Sequence, residues 1–440
     1  MTFQYDKLPN NGFFRVFELG PGKDSDPLEG NLRTYLRQQA PKYEALSYVW
    51  GSSVQNQHMK CNGQTFMITD SLGAALRRLR LVGDSRYLWV DQICIDQTSL
   101  EERSEQVSIM RDIYSGATLV NAWLGPADAE EASAVGKIIS TLAKREPHEF
   151  REQQYFPKND YLQELGLPIR DSSAWEALNS MLSVPYFSRV WILQELALAA
   201  NYTLLWGDLV ISKADFMTFK VATKCLGMRY RDPNILAFPL AKEASNDPCP
   251  RVEWNVVSME FTENLGEIRL NLYQLVRSTK HCHATDPRDK IFALIGLAGD
   301  TTYGIIPDYR KPQSTVFTEF ASKVIMATTS LDILNHTAIE DPNDTERRPL
   351  WAPRWFNQKP PSYLDMRKRG FRSSSNKKIM MQSSIDSQVL ELKGLQPDHR
   401  SRMPSEIPVR FRHNCTDCLH IDEWRSTAYG WQNEAELPNK

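Results

Sequence analysis

The chain has 440 residues, 41% of them hydrophobic, with 52 Lys and Arg against 54 Asp and Glu and a formal net charge of −2. At about 100–200 residues per domain, this is enough for two or three domains with real cores, which excludes a disordered scaffold. Without an excess of cations to displace counterions from phosphates, a dedicated nucleic-acid binder is excluded as well.

Met1-Thr2-Phe3-Gln4-Tyr5 carries neither a basic nor an apolar leader pattern. No stretch approaches the ~20 apolar residues of a membrane-spanning helix; the densest, 190–200, is broken by Gln194 and Glu195. The expectation is a soluble, cytoplasmic protein. A strand is predicted over 13–19, closed by Gly20-Pro21-Gly22, and the first 42 residues read as a strand segment packing on the domain that follows. A second strand spans 43–50 and stops at Gly51. A hairpin follows, with arms 58–61 and 65–68 around Asn62-Gly63.

Asp70 is placed to cap a helix whose apolar positions Leu72, Ala75, Leu76 and Leu79 share one face. The run 87–95 lacks alternation, as suits a central strand covered on both faces, and ends at Asp96 and Gln97. Ser99 and Glu102 have capping-box spacing before a helix, and 118–124 reads as a further buried strand. A polar stretch at 146–172 reads as an insertion. Helices follow at 174–182 and 190–200, then at 214–225, 270–279, 290–298 and 315–328. The alternation in the first third predicts an α/β sheet with helices on both faces, followed by a mainly helical C-terminal region. Residues 357–440 are expected to be irregular or weakly ordered.

The seven cysteines are odd in number and widely spread, so free thiols are expected. Cys415 and Cys418, with His420, have the spacing of half a zinc site; a second pair from His281, Cys282 and His283 would be needed, and such half-sites often arise by chance. No metal or resident cofactor is expected. The cluster Arg367, Lys368, Arg369, Arg372, Lys377 and Lys378 reads as a solvated loop, with a nuclear-import or anionic-surface patch as the alternative. The chain has no Walker loop, Gly-x-Gly-x-x-Gly, Gly-x-Ser-x-Gly or His-Glu-x-x-His, which sets aside the common NTPases, dinucleotide oxidoreductases, α/β hydrolases and zincins.

Five segments together resemble the fungal heterokaryon incompatibility (HET) domain family. They are Tyr43-Glu44-Ala45-Leu46-Ser47-Tyr48-Val49-Trp50-Gly51; Leu88-Trp89-Val90-Asp91-Gln92-Ile93-Cys94-Ile95-Asp96-Gln97; the helix bearing Glu102, Arg103 and Gln106 with Trp123-Leu124-Gly125; Tyr186-Phe187-Ser188-Arg189-Val190-Trp191-Ile192-Leu193-Gln194-Glu195; and Asp286-Pro287-Arg288-Asp289-Lys290 with Pro307-Asp308-Tyr309 and Trp351 to Trp355 behind it. The resemblance covers about 43–355, departing at Asp96, where the family often carries Asn. It implies a HET domain at 43–207, a helical companion at 208–356 and a tail at 357–440. It further implies non-self recognition in filamentous fungi, with a cell-death reaction and a protein partner or self-association. The family is similar to Toll/interleukin-1 receptor (TIR) domains, flavodoxin-like in fold, some of which hydrolyse NAD. Here Ser47-Tyr48 ends the early strand as in many TIR domains, and Trp191 and Glu195 have the spacing that carries their catalytic Glu.

Glu195 has two readings. Trp191 and Glu195 lie one turn apart on a helix otherwise rich in apolar residues, so the carboxylate must be paired, protonated or part of a site. As a catalytic group it would stabilise the oxocarbenium ion formed when nicotinamide leaves NAD, with NAD as substrate and Tyr48, Trp50 and Trp191 stacking on its rings. Ser47, Gly51, Asp91, Asp96 and Arg189 complete the candidate binding set. As a structural group Glu195 would form a buried ion pair with Arg189. Trp50, Trp89 and Trp123 also read as core aromatics. Asp286 to Lys290 reads as a helix start with Pro287 in its first turn, its charges tying the helical region to the first domain. A non-enzymatic interaction module and a regulatory family member stand as alternatives to the enzyme.

Overall fold

The computed structural model describes residues 3–226 apart from 11, 53 and 152–156, then 270–355 apart from 281, 300–301, 329, 331, 337–350 and 354, and three short strands between 380 and 411. They fall into two compact units, 1–302 with 306–310, and 303–305 with 311–440.

Among the described residues the first unit is built on nine strands: β1 (Phe13–Leu19), β2 (Glu29–Leu36), β3 (Glu44–Tyr48), β4 (Gln57–Cys61), β5 (Gln64–Ile68), β6 (Arg86–Trp89), β7 (Val120–Gly125), β8 (Tyr202–Trp206) and β9 (Leu209–Ser212). They form one mixed sheet in the order β5-β4-β2-β1-β6-β3-β7-β8-β9. Its centre, β6-β3-β7-β8, is parallel, with Ser47 of β3 opposite Ala122 of β7. β3 and β7 are almost entirely buried, which is why they read as continuous apolar runs.

Three connections join these strands. The β4–β5 hairpin and α1 (Asp70–Leu79) lead from β3 to β6; α2 (Asp91–Cys94) and α3 (Leu100–Gly116) lead back past β3 to β7; and α4 (Ala129–Ala143), α5 (Asn159–Glu164), α6 (Ser173–Leu182) and α7 (Trp191–Ala197) lead on to β8. Right-handed crossovers that run in opposite directions from one strand place α1 and α3 on opposite faces. In chain order the parallel core runs second, first, third, fourth, which is compatible with a flavodoxin-like sheet. Its direction reverses between β3 and β7, where such sheets open a crevice at the carboxyl ends of their strands.

The hairpin at Asn62-Gly63 forms as expected, with both residues at positive φ (50° and 75°). Other expectations shift for local reasons. The strand begun at Tyr87 stops at Trp89, because the Asp91 carboxylate accepts the Gln92 N–H (2.7 Å) and turns the chain into α2. Thr69, not Asp70, caps α1, its hydroxyl accepting from Leu72 N–H (3.3 Å), while Asp70 accepts from the Asn56 and Gln57 amides. Ser99 caps α3, but Glu102 does not close the box. Its carboxylate takes the Asp96 N–H (2.7 Å) and a buried pair with Arg15 instead. The insertion 146–172 contains α5, and β2 and the β8–β9 hairpin were not anticipated. The boundary at 207 falls inside that hairpin.

Beyond it come α8 (Lys213–Cys225), α9 (Leu272–Ser278) and a short α10 (Asp289–Phe292). The second unit holds α11 (Gln313–Thr328) and, among its described residues, a three-stranded antiparallel sheet of β10 (Met380–Met381), β11 (Leu390–Leu395) and β12 (Glu406–Phe411). Among the described residues no helix is long and apolar enough to cross a membrane.

Candidate functional site

Ser47 is the fourth residue of β3 and is 1% exposed. Its hydroxyl shares a hydrogen bond with the Tyr186 hydroxyl (2.7 Å) and donates to the Glu195 carboxylate. Glu195, on α7, is 3% exposed, so Ser47 and Arg189 replace the water it lacks. The Arg189 guanidinium lies 3.9 Å from that carboxylate and donates to the Tyr48 carbonyl (2.5 Å). A seven-residue helix is too short to hold its own position, so these contacts and its packing on α3 set where Glu195 sits.

Asp91 extends the cluster at the carboxyl end of β6. It accepts the Trp50 indole N–H (2.9 Å) and the Gln92 N–H, and its charge is felt by both Arg189 and Glu195. Two carboxylates therefore face one guanidinium. Burial pushes Glu195 above the ordinary carboxylate range, and the nearby Asp91 adds to this, against the opposing pull of Arg189 and the Ser47 hydrogen bond. Burial likewise raises Asp91, against Arg189 and the Trp50 and Gln92 donors. Burial alone would lower Arg189; the Glu195 and Asp91 carboxylates outweigh it and keep the guanidinium charged. A buried carboxyl whose proton affinity is raised is suited to exchange a proton, and when ionised to stabilise a cation that forms beside it.

The structure thus brings together Ser47, Tyr48, Trp50, Asp91, Arg189 and Glu195. Tyr48 contributes its carbonyl, while its buried hydroxyl lies 3.4 Å from the Gln92 amide oxygen. Gly51 is exposed and turns the chain after β3 at φ 70°. Asp96 stands apart, its carboxylate occupied by the Thr98 N–H (3.0 Å) and hydroxyl (2.6 Å). Trp191 also stands apart, its N–H donating to Asp289 (3.0 Å). Trp89 and Trp123 are buried core residues, whereas Trp50 is half-buried beside Asp91.

One member of the cluster, Tyr186, and one residue bound to its helix, Asp289, carry no local signal in the sequence. Tyr186 belongs to the quoted Tyr186-Phe187-Ser188-Arg189 run, but nothing local in the sequence marks its hydroxyl as the partner of Ser47. Asp289 was read as a helix start, and its partners Trp191, Tyr309 and Arg103 lie far away in sequence. No cluster of three or more His, Cys, Asp or Glu able to hold a metal occurs among the described residues. Cys415, Cys418, His420 and His281 lie outside them, as does the basic cluster at 367–378.

A family model described as "Heterokaryon incompatibility protein (HET)" matches residues 43–195, ending on Glu195. Among curated proteins, "Heterokaryon incompatibility protein 6, OR allele" of Neurospora crassa is 28% identical over 417 residues, covering 80% of this chain and 59% of the relative. The chain therefore spans less than two thirds of that relative's length. No solved structure matches.

Proposed function

We propose that this chain, which matches the heterokaryon incompatibility family, serves non-self recognition in a filamentous fungus, acting in the cytoplasm to trigger cell death when incompatible partners fuse. In this reading the effector chemistry is hydrolysis of NAD, and Glu195 is the catalytic group. The observation that carries it is the position of that carboxylate at the carboxyl end of β3, hydrogen-bonded to Ser47 and beside Arg189. The strand order and the Ser47-Tyr48 and Trp191-to-Glu195 spacings support the likeness to TIR domains on which it rests.

The chemistry needs one well-placed carboxylate. The bond between the ribose anomeric carbon and the pyridinium nitrogen breaks with its electron pair going to nicotinamide, which leaves neutral and needs no acid. Positive charge develops on the ribose, where Glu195 stabilises it. Water then adds to the anomeric carbon and loses a proton, giving ADP-ribose. Ser47 positions the carboxylate, and the half-buried Trp50 offers a stacking face.

A second reading draws on the 3% exposure of Glu195, which suits a closed structural pair in a module that signals by self-association or by recruiting a protein partner. One experiment separates the two: purified full-length protein, clustered through a fused oligomerisation tag, is incubated with NAD for hours and assayed for nicotinamide. The enzyme reading expects release in the native protein and at least 100-fold less in a folded Glu195→Gln variant. Intact NAD, with cell killing undiminished by Glu195→Gln, would sink it in favour of the module.

A further inference from the structure

Two sets of contacts fix Glu195, one at the carboxylate and one along its helix. Ser47 and Tyr186 belong to the central strand and to the turn leading into α7. The helix that carries Glu195 is held separately by a segment far along the chain and outside the family match, residues 282–298, which contacts α7 and the turn before it from Ser188 to Gln194. At the helix start, Val190 N–H donates to the His283 carbonyl (2.9 Å) and His283 N–H to the Ser188 carbonyl (2.5 Å), an isolated parallel bridge. One residue on, the Trp191 N–H donates to Asp289 (3.0 Å). Further along, the Gln194 side-chain amide donates to the Ala293 carbonyl (3.0 Å) and meets Gly296 so closely that a Cβ there would stand 2.8 Å from it.

The same segment is tied down on its far side. Asp289 also accepts from the Tyr309 hydroxyl (2.5 Å), and Arg103 of α3 lies 3.8 Å from Asp289, 3.4 Å from Asp286 and 3.7 Å over the Tyr309 ring. Arg111 donates to the Gly296 carbonyl (3.1 Å). The segment's own Ile291, Phe292, Ala293 and Leu294 are buried. The segment has no ladder of sheet hydrogen bonds. One bridge and a few side-chain bonds join it to the short helix whose position they fix, so it can part from α7 without breaking the sheet.

We propose that residues 282–298 form an inhibitory strap that pins the Glu195 helix closed, with Trp191–Asp289 as its latch, and that the site is reached only when this strap is displaced. Its apolar seating keeps the resting protein silent and leaves displacement to the binding energy of a partner or a second copy. The inference rests on Glu195 being the working group, as proposed above, but its test reads access and not turnover, so either can fail without the other.

In the full-length chain, Glu195→Cys places a thiol at the pinned position, and peptide-resolved mass spectrometry follows its alkylation by N-ethylmaleimide. Cys94, fully buried behind β6, is the internal monitor of the fold. The Glu195→Cys thiol should react as slowly as Cys94 when the latch is intact. Adding Trp191→Phe, which removes the donor, or Asp289→Ala, which removes the acceptor, should speed it at least tenfold with Cys94 unchanged, and a selective rise in either variant supports the strap. The proposal is overturned if neither gives one, whether because both rates stay put or because Cys94 rises in step, which would make the latch a prop for the whole fold.

Discussion

At the scale of single residues, the balance of two carboxylates against one guanidinium decides the behaviour of the cluster. Removing one partner of a buried pair leaves the other charge uncompensated and typically costs about 3–5 kcal/mol. Arg189→Met is therefore expected to lower stability by about 3 kcal/mol at pH 7.5, measured by urea unfolding. The loss should shrink at pH 5, because Glu195 already binds its proton more tightly folded than unfolded and, without Arg189, holds it more tightly still. The sign follows from linkage: a carboxyl raised by folding favours the folded state in acid, and that advantage is lost as pH rises through its folded range. A penalty that grows in acid would refute this account. Ser47→Ala, which strips Glu195 of a donor and Tyr186 of a partner, should cost about 1–3 kcal/mol. Glu195, Arg189 and Ser47 were legible because charged or hydroxyl groups in apolar runs demand partners. The Ser47 to Tyr186 contact spans 139 residues, and no local pattern announces it.

At the scale of elements, short-range signals read well and long-range pairing did not. Asn62-Gly63 and the periodicity of α1 gave the hairpin and the helix, since both are fixed by backbone conformation and by one buried face. The sequence of β2 offers only Leu32 as a buried side chain, and β8 and β9 follow a helix so apolar that the chain beyond it read as helical. The cap of α1 was misplaced by one residue because Thr69 serves two partners, Leu72 N–H and the Gln92 side chain (3.3 Å). Thr69→Ala should accordingly lower stability by about 1 kcal/mol or more, seen as a lower urea midpoint at unchanged slope. The strap carries its own pH dependence. Burial pushes Asp289 up to about 6, with Asp286 adding to the shift while Tyr309, Arg103 and Trp191 oppose it. Around it Asp286 is held below the ordinary range and Arg288 above its own, so both stay charged throughout. The docked strap thus holds the Asp289 proton more tightly than a released one, and docking weakens as pH rises through 6. Hydrogen-exchange protection at 283–297, corrected for intrinsic rates, should fall between pH 5 and 7 relative to the central strands, and Asp289→Asn should abolish that fall.

At the scale of the whole molecule, the stretch that carries the family motifs is smaller than the unit that folds. The match ends at Glu195, inside α7, and begins at Tyr43, at the threshold of β3. The sheet, however, inserts β1 between β2 and β6, and continues past β7 into β8 and β9. A fragment of residues 43–195 would leave the edges of β6 and β7 unpaired and cut α7 short of Ala197. It would also remove Leu204, Leu205 and Ile211, buried side chains each worth about 1.5–3 kcal/mol, and several more of the same kind from β1 and the strap. A loss of that order is comparable with the whole stability of a typical domain, and exposed central strands pair with other chains. Motif recognition could not show this, because motifs cluster where side chains converge, whereas β1 and β9 supply backbone pairing that many sequences satisfy. Residues 43–195 should therefore aggregate or be cut by trypsin within minutes and show no cooperative melting by circular dichroism. Residues 1–310 should melt in one cooperative transition and retain the slow alkylation of Cys94 and Cys282, both buried in the intact unit. A cooperative transition in the shorter fragment would mean that β1, β9 and the strap are additions to a self-sufficient domain, and that its stability lies in the four parallel strands alone.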